Sequence, residues 1–207
     1  MTTLIQYASL HPTPWKNGAG FTTEILASPP GATLDDFDFR ISLATIAQSG
    51  PFSTFPGVDR TLSLVDGGNV VLDVGNERKV ALSDREPVVA FPGEVPVSAT
   101  VDGSPTVDFN VMTRRGRCSH QVERRVFRDY SELERRSALT VLFVAEGDLL
   151  TVHSERERMS MVRYDAVVLD REQNWVLEAP QATVYIVDII PEPEPELEQE
   201  ADGDMPQ

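Results

Sequence analysis

The chain has 207 residues, is 41% hydrophobic and 25% charged, and carries a formal net charge of −15. That composition supplies enough apolar material for a real core, and no apolar run approaches the roughly 18–20 residues of a membrane-spanning helix. The negative balance argues against nucleic acid or an anionic membrane as a general partner, and one cysteine, Cys118, excludes an internal disulfide and suits a reducing compartment.

In chain order, the opening segment MTTLIQYASLHPTPW lacks the basic start, long apolar centre and cleavage site of a signal peptide, so a cytoplasmic location is expected. Next, PWKNGAGFTTEIL reads as a tight turn, permitted by Gly18 and Gly20, entering the strand FTTEIL. The strand FDFRISLATI follows, with Phe39, Ile41 and Leu43 on one face and Arg40, Ser42 and Ala44 on the other. GPFSTFPGVDR is a loop in which Phe52 and Phe55 pack the mouth of the fold, and an Asp59–Arg60 pair is the plainer reading of its charged end. GNVVLDV, KVALS, PVVAF and VDFNVM are short strands; the last sets Asp108, Asn110, Met112 and Arg114 against Phe109, Val111 and Thr113.

Residues Arg114 to Arg136 hold eight arginines against four acids and read as a linker or short helix with a solvated charged face, including a helical turn near Tyr130 to Arg136. The basic surface is too narrow for nucleic acid. Beyond it come ALTVLFVAEG, LLTVHS, AVVLD and TVYIVDII, again strand-like. The terminal PEPEPELEQEADGDMPQ carries seven carboxylates and no base, which leaves the rest of the chain near −8. Such a tail is expected to be disordered.

Two stretches share one spacing. Gly68 opens VVL and Gly147 opens LL; twenty residues on stand Val88 and Val167, and closing strands start at Val107 and Thr183. Matched strand–turn–strand spacing indicates a duplicated unit. Many short strands with turns between them predict an all-β chain. The expected architecture is a double cupin: two jelly-roll β-barrels at 1–116 and 117–190, with the disordered acidic tail at 191–207.

The chain has three histidines, His11, His120 and His153. No two share a strand at the i, i+2 spacing that would aim both rings into one lumen. A histidine site for a first-row metal needs several ligands converging in one pocket, so no metal and no other cofactor is expected.

WKNGAGFTTEIL, FDFRISLATIAQSGPFSTFPGVDR, FPGE and VDFNVMTRRG resemble, in order, the signature blocks of the HutD/Ves family. They span Trp15 to Gly116; Ala19 stands where the family often has glycine, which would slightly restrict the turn. The resemblance implies a double-cupin bacterial protein without an established reaction, one branch being associated with histidine utilisation. It implies a small carboxylate partner such as formylglutamate, urocanate or formate. Lys16, Asn17 and Arg40 supply donors for a carboxylate. Asn110 suits an amide or formyl group, Glu24 sets the charge of the pocket or orients Arg40, and Arg60 is counted with these ligand-binding residues.

Two functions follow, with no catalytic residue assigned. One is a cytoplasmic binding protein that regulates or governs histidine utilisation, more in keeping with the residues than an enzyme. The alternative is a metal-independent cupin enzyme acting on a small carboxylate or amide, with Glu24 or Asp59 as base. A third reading places a protein partner on the arginine-rich segment or the tail; a homodimer is left open.

Overall fold

Short apolar alternations, broken by glycine, proline and aspartate, allow strands and little else. The computed structural model describes residues 2–75, 78–169 and 172–193. Its strands begin with β1 (Thr3–Ile5), β2 (Pro12–Pro14), β3 (Gly20–Ser28), β4 (Phe39–Ile46), β5 (Gly50–Pro51) and β6 (Val58–Gly67). Then come β7 (Val70–Val74), β8 (Arg78–Leu82), β9 (Val88–Pro92), β10 (Val97–Val101) and β11 (Thr106–Arg114). The second half supplies β12 (Cys118–Glu134), β13 (Leu139–Glu146), β14 (Leu150–His153), β15 (Arg158–Met161), β16 (Ala166–Leu169) and β17 (Asn174–Pro191). Among the described residues the one helical element is the 3-10 turn Tyr7–Ser9, and no helix is long and apolar enough to cross a membrane. From residue 194 the acidic tail lies outside the described residues.

A six-stranded sheet, β2-β3-β4-β11-β6-β9, and a four-stranded sheet, β5-β10-β7-β8, form the first barrel. A third sheet, β1-β16-β13-β17-β14-β15 with β12 on β17, curls into the second. The two halves are the same unit. Strand β6 pairs with β9 and β11 as β13 pairs with β16 and β17. In the first unit β4 and β5 pair separately with β11 and β10; in the second, β12 runs the whole length of β17. Thus β12 stands for β4 plus β5, and β17 for β10 plus β11. The first strand of the chain crosses over: β1 pairs with β16 in the sheet of the second unit.

The segment read as a linker or short helix is therefore strand β12. Helical reading failed there because the charges were taken as one solvated face, whereas Cys118, Phe127 and Leu133 are buried on the strand. Several arginines of the segment are in ion pairs, among them Arg125 with Glu123 at 2.6 Å, Arg136 with Glu123 at 3.6 Å and Arg115 with Glu94 at 2.6 Å.

Burial runs across both faces of the six-stranded sheet. One face, carrying Phe39, Ile41, Leu43, Phe109 and Val111, packs on Val141, Phe143, Tyr185 and Val187 of the second unit. The Phe109 and Phe143 rings stack at 4.3 Å with 9° between planes. The other face looks into the first barrel, where Leu62, Leu64, Val70, Leu72, Val89 and Val97 make an apolar floor. The interior of the second barrel is apolar, built around Trp175, Leu142, Val152 and Leu177.

Phe109 joins the two units, so Phe109→Ala is expected to cost about 3–5 kcal/mol of stability. Urea denaturation measures this; a loss below about 1 kcal/mol would mean that the interface between the units contributes little.

Candidate functional site

The register of the six-stranded sheet lays its inward side chains in rows. Arg40, Met112 and Arg60 stand opposite one another across β4, β11 and β6; Ser42, Asn110 and Leu62 form the next row, and Ala44, Asp108 and Leu64 the next. Beside them on β3, Glu24 lies opposite Ser42 and Thr22 opposite Ala44. A bulge between Glu24 and Leu26 lets both Ile25 and Leu26 turn toward the interface between the units while Glu24 stays with the inward row. One polar patch thus occupies the interior wall of the first barrel.

Arg60 is the centre of this patch. It is 7% exposed, and its guanidinium donates to the Ser53 carbonyl at 3.3 Å and to Asn110 Oδ1 at 3.4 Å. Phe52, Phe55 and Phe91 surround it, with ring centroids 5.1–5.6 Å from Cζ. Its Nε is buried with no hydrogen-bond partner among the described residues. No described carboxylate lies within ion-pair distance of it. Burial, and then the nearby Arg40 guanidinium, lower its pKa to about 10, so it stays cationic at neutral pH. A cation taken from water without a counter-charge is strongly unfavourable, and an incoming anion relieves that cost.

The expected Asp59–Arg60 pair does not form. Neighbours on a strand point to opposite faces; Asp59 turns away from the barrel and pairs with Arg115, which also holds Glu94. Arg40 sits on the inward face as read, 15% exposed at its side chain, and its Nε donates to Glu24 at 2.9 Å. Arg40 is thus largely neutralised by Glu24, and the free charge belongs to Arg60.

The turn before β3 has a different role from the one read for it. Lys16 is exposed, with no ion pair among the described residues. Asn17 is exposed too, and its Oδ1 accepts the Ala19 backbone N–H at 3.0 Å, closing an Asx turn. Gly18 has φ +69, and a Cβ on Gly20 would run into the Thr45 carbonyl oxygen. Ala19 is outside the left-handed region, so alanine fits there without strain. The turn folds Trp15 back over the barrel, where its indole N–H donates to Thr22 Oγ1 at 2.7 Å.

Sequence reasoning passed over Asp108 and Ser42. Asp108 is 0% exposed; Oδ2 accepts from Thr106 at 3.4 Å and Oδ1 has no partner among the described residues. Burial, opposed weakly by Thr106, raises its pKa from 3.8 to about 7. Ser42 Oγ is likewise buried without a partner. The signal was the strand alternation, which set Asp108 on the same face as Asn110 and Ser42 on the same face as Arg40, Asn110 and Arg40 both being already read as ligand-binding.

His120, by contrast, is a structural tie. Its Nε2 meets Thr61 Oγ1 at 2.8 Å and its Nδ1 meets Thr113 Oγ1 at 2.7 Å, joining β12 to the first sheet. Among the described residues no three His, Cys, Asp or Glu side chains come together as a metal-holding group. A cleft of about 540 Å³ lies elsewhere, lined by Asp66, Glu146, Asp148 and Arg163. Its arginine already pairs with Asp66 at 3.2 Å, and its excess carboxylates repel anions. The polar wall of the first barrel, with its unpaired buried groups, is the better candidate.

Because the folded pKa of Asp108 lies above its unfolded value, its stabilising contribution is full below about pH 4 and is lost as pH rises through about 7. Relative to Asp108→Asn, the parent should lose up to about 4 kcal/mol across that window and then level off. Urea denaturation over a pH series measures the difference; equal stability of the two proteins from pH 4 to 8 would mean that Asp108 ionises freely.

A HutD family model matches residues 7–186. Protein Ves of Citrobacter koseri is 35% identical over 175 residues, covering 78% of this chain and 88% of that protein. Protein Ves of Cronobacter sakazakii is 46% identical over 109 residues; the match takes in 52% of this chain and only 58% of that protein's length. A protein of unknown function from Pseudomonas aeruginosa has a similar structure, with TM-score 0.84 and 26% identity over 92% of this chain and 99% of its own. HutD from Pseudomonas fluorescens shares the fold, with TM-score 0.78 and 23% identity over 93% and 100%. On the family match and the Citrobacter relative together, this chain belongs to the HutD/Ves family.

Proposed function

We propose that the first barrel binds a small carboxylate metabolite and that the protein is a cytoplasmic regulator of histidine utilisation. The observation that carries the binding reading is the buried, unpaired guanidinium of Arg60. A carboxylate accepts two parallel hydrogen bonds from such a fork, and the phenyl rings around it exclude water that would weaken the contact. Asn110 adds an amide next to the anion, and Glu24 holds Arg40 at the side. Neither Lys16 nor Asn17 has a part in this version of the site. The link to histidine utilisation rests on family membership and on the HutD name of the family and of the Pseudomonas fluorescens protein. Formylglutamate, urocanate and formate are the carboxylates to try first, and no cofactor enters the scheme.

Calorimetric and thermal-shift titration tests this, since a ligand bound only by the folded form raises its apparent stability. At least one of the three is expected to bind at millimolar concentration or below. Arg60→Ala should weaken it by about 10- to 100-fold, the worth of a charged hydrogen-bonding partner. Silence from all three probes, or an Arg60→Ala protein that binds like the parent, overturns the reading.

One feature favours the enzyme alternative: Asp108 is a buried carboxyl with Oδ1 unpartnered among the described residues, and burial pushes its pKa up to about 7, a range suited to a general acid or base. Glu24 is engaged by Arg40 and Asp59 faces away, so Asp108 replaces both as the group to test. Turnover of formylglutamate that vanishes in Asp108→Asn while binding survives would establish it; no turnover of any of the three probes would retire it.

A further inference from the structure

The polar wall has two ends. Arg60 reaches Asn110 at 3.4 Å, so its guanidinium lies at the level of that residue. Asp108 is two residues farther along the same strand and the same face, about 7 Å away at strand rise. Between them stand the small side chains of Ser42 and Ala44, opposite Asn110 and Asp108 on β4. The Arg60 end is cationic and the Asp108 end carries a fully buried carboxyl with one oxygen unpartnered.

Resting on the anion-binding reading, we infer that Asp108 is a specificity-determining residue which, as the neutral acid, donates a hydrogen bond to the far end of an elongated ligand whose carboxylate is held by Arg60. The ligand class is then an acid with a second acceptor oxygen, a carbonyl or another carboxylate, roughly 7 Å from the first. A single-ended anion occupies only the Arg60 end.

The charged groups on this inward face are Arg60, two rows from Asp108, and the Arg40–Glu24 pair. The neighbours of Asp108 on its own strand, Thr106 and Asn110, are uncharged, and the facing four-stranded sheet presents Val70, Leu72, Val97 and Ala99. No cation is placed to hold Asp108 ionised, which agrees with its pKa near 7. An anionic or acceptor group brought against it disfavours the carboxylate further. Binding therefore takes up a proton at alkaline pH and none at acid pH.

The test is calorimetry with formylglutamate and with formate at pH 6.0 and 8.5, on the parent and on Asp108→Asn, which keeps the shape and a donor but cannot titrate. For the parent, formylglutamate affinity should fall about 30-fold between the two pH values, and formate affinity less than about threefold. In Asp108→Asn the formylglutamate dependence should shrink to less than about threefold. Repeating the parent titration at pH 8 in buffers of different ionisation enthalpy should show close to one proton taken up per formylglutamate, a readout independent of how well the variant folds. Binding whose pH response is the same in Asp108→Asn as in the parent, or the same for both probes, or which takes up no proton, overturns this inference and leaves the anion site intact. If neither probe binds the parent at either pH, the anion site and this inference fall together.

Discussion

The six-stranded sheet of the first barrel is buried on both faces, and that constraint shapes the rest of the molecule. A strand buried on both faces ordinarily reads as a continuous apolar run. Here β4 and β11 keep apolar residues on the face toward the second unit and place Arg40, Ser42, Asp108 and Asn110 on the face toward the barrel. The second unit covers the apolar face, and the four-stranded sheet of the first barrel holds the polar side chains away from bulk water. The aromatic contact of Phe109 with Phe143 and Tyr185 fastens that docking and so indirectly holds the polar wall in place.

Duplication supplies the contrast that makes the wall informative. The second unit repeats the pairing scheme, yet its interior is an apolar cluster that includes Trp175, Leu177 and Val184. One buried polar pair there is closed on itself, Thr140 donating to Asp188 at 2.6 Å. Two copies of one pairing scheme thus differ in their interiors, one apolar and one with a polar wall. Unpaired buried atoms are rare in native proteins because each costs free energy; of the nine buried side-chain polar atoms without a partner among the described residues, Arg60 Nε, Ser42 Oγ and Asp108 Oδ1 fall on one face of one sheet.

Much of the fold was legible in the chain. The spacing of Gly68 and Gly147 and of Val88 and Val167 marked the repeat, and the equivalent strands begin at Val70 and Leu150, then at Arg78 and Arg158. The arginine-rich segment misled because its charges outnumber its three buried residues, Cys118, Phe127 and Leu133, which carry the strand. For the site, the alternation of FDFRISLA and VDFNVM put the right residues on common faces. It could not say that both faces would be buried. Their burial depends on the second unit on one side and the four-stranded sheet on the other, contacts between residues far apart in sequence.

Local rules sufficed for whatever depends on near neighbours: strand alternation, the Asx turn at Asn17, the requirement for glycine at Gly18, and the spacing of the repeat. Charge partnership did not yield to them. Sequence adjacency suggested Asp59 with Arg60, whereas strand geometry sends those two side chains to opposite faces and brings Glu24 to Arg40 and Arg115 to Asp59. That Arg60 is left buried without a counter-ion, and Asp108 without a cation, follows from packing three sheets together. Only tertiary structure decides it, because desolvation and pairing depend on every chain segment that closes around a group and not on its neighbours in sequence.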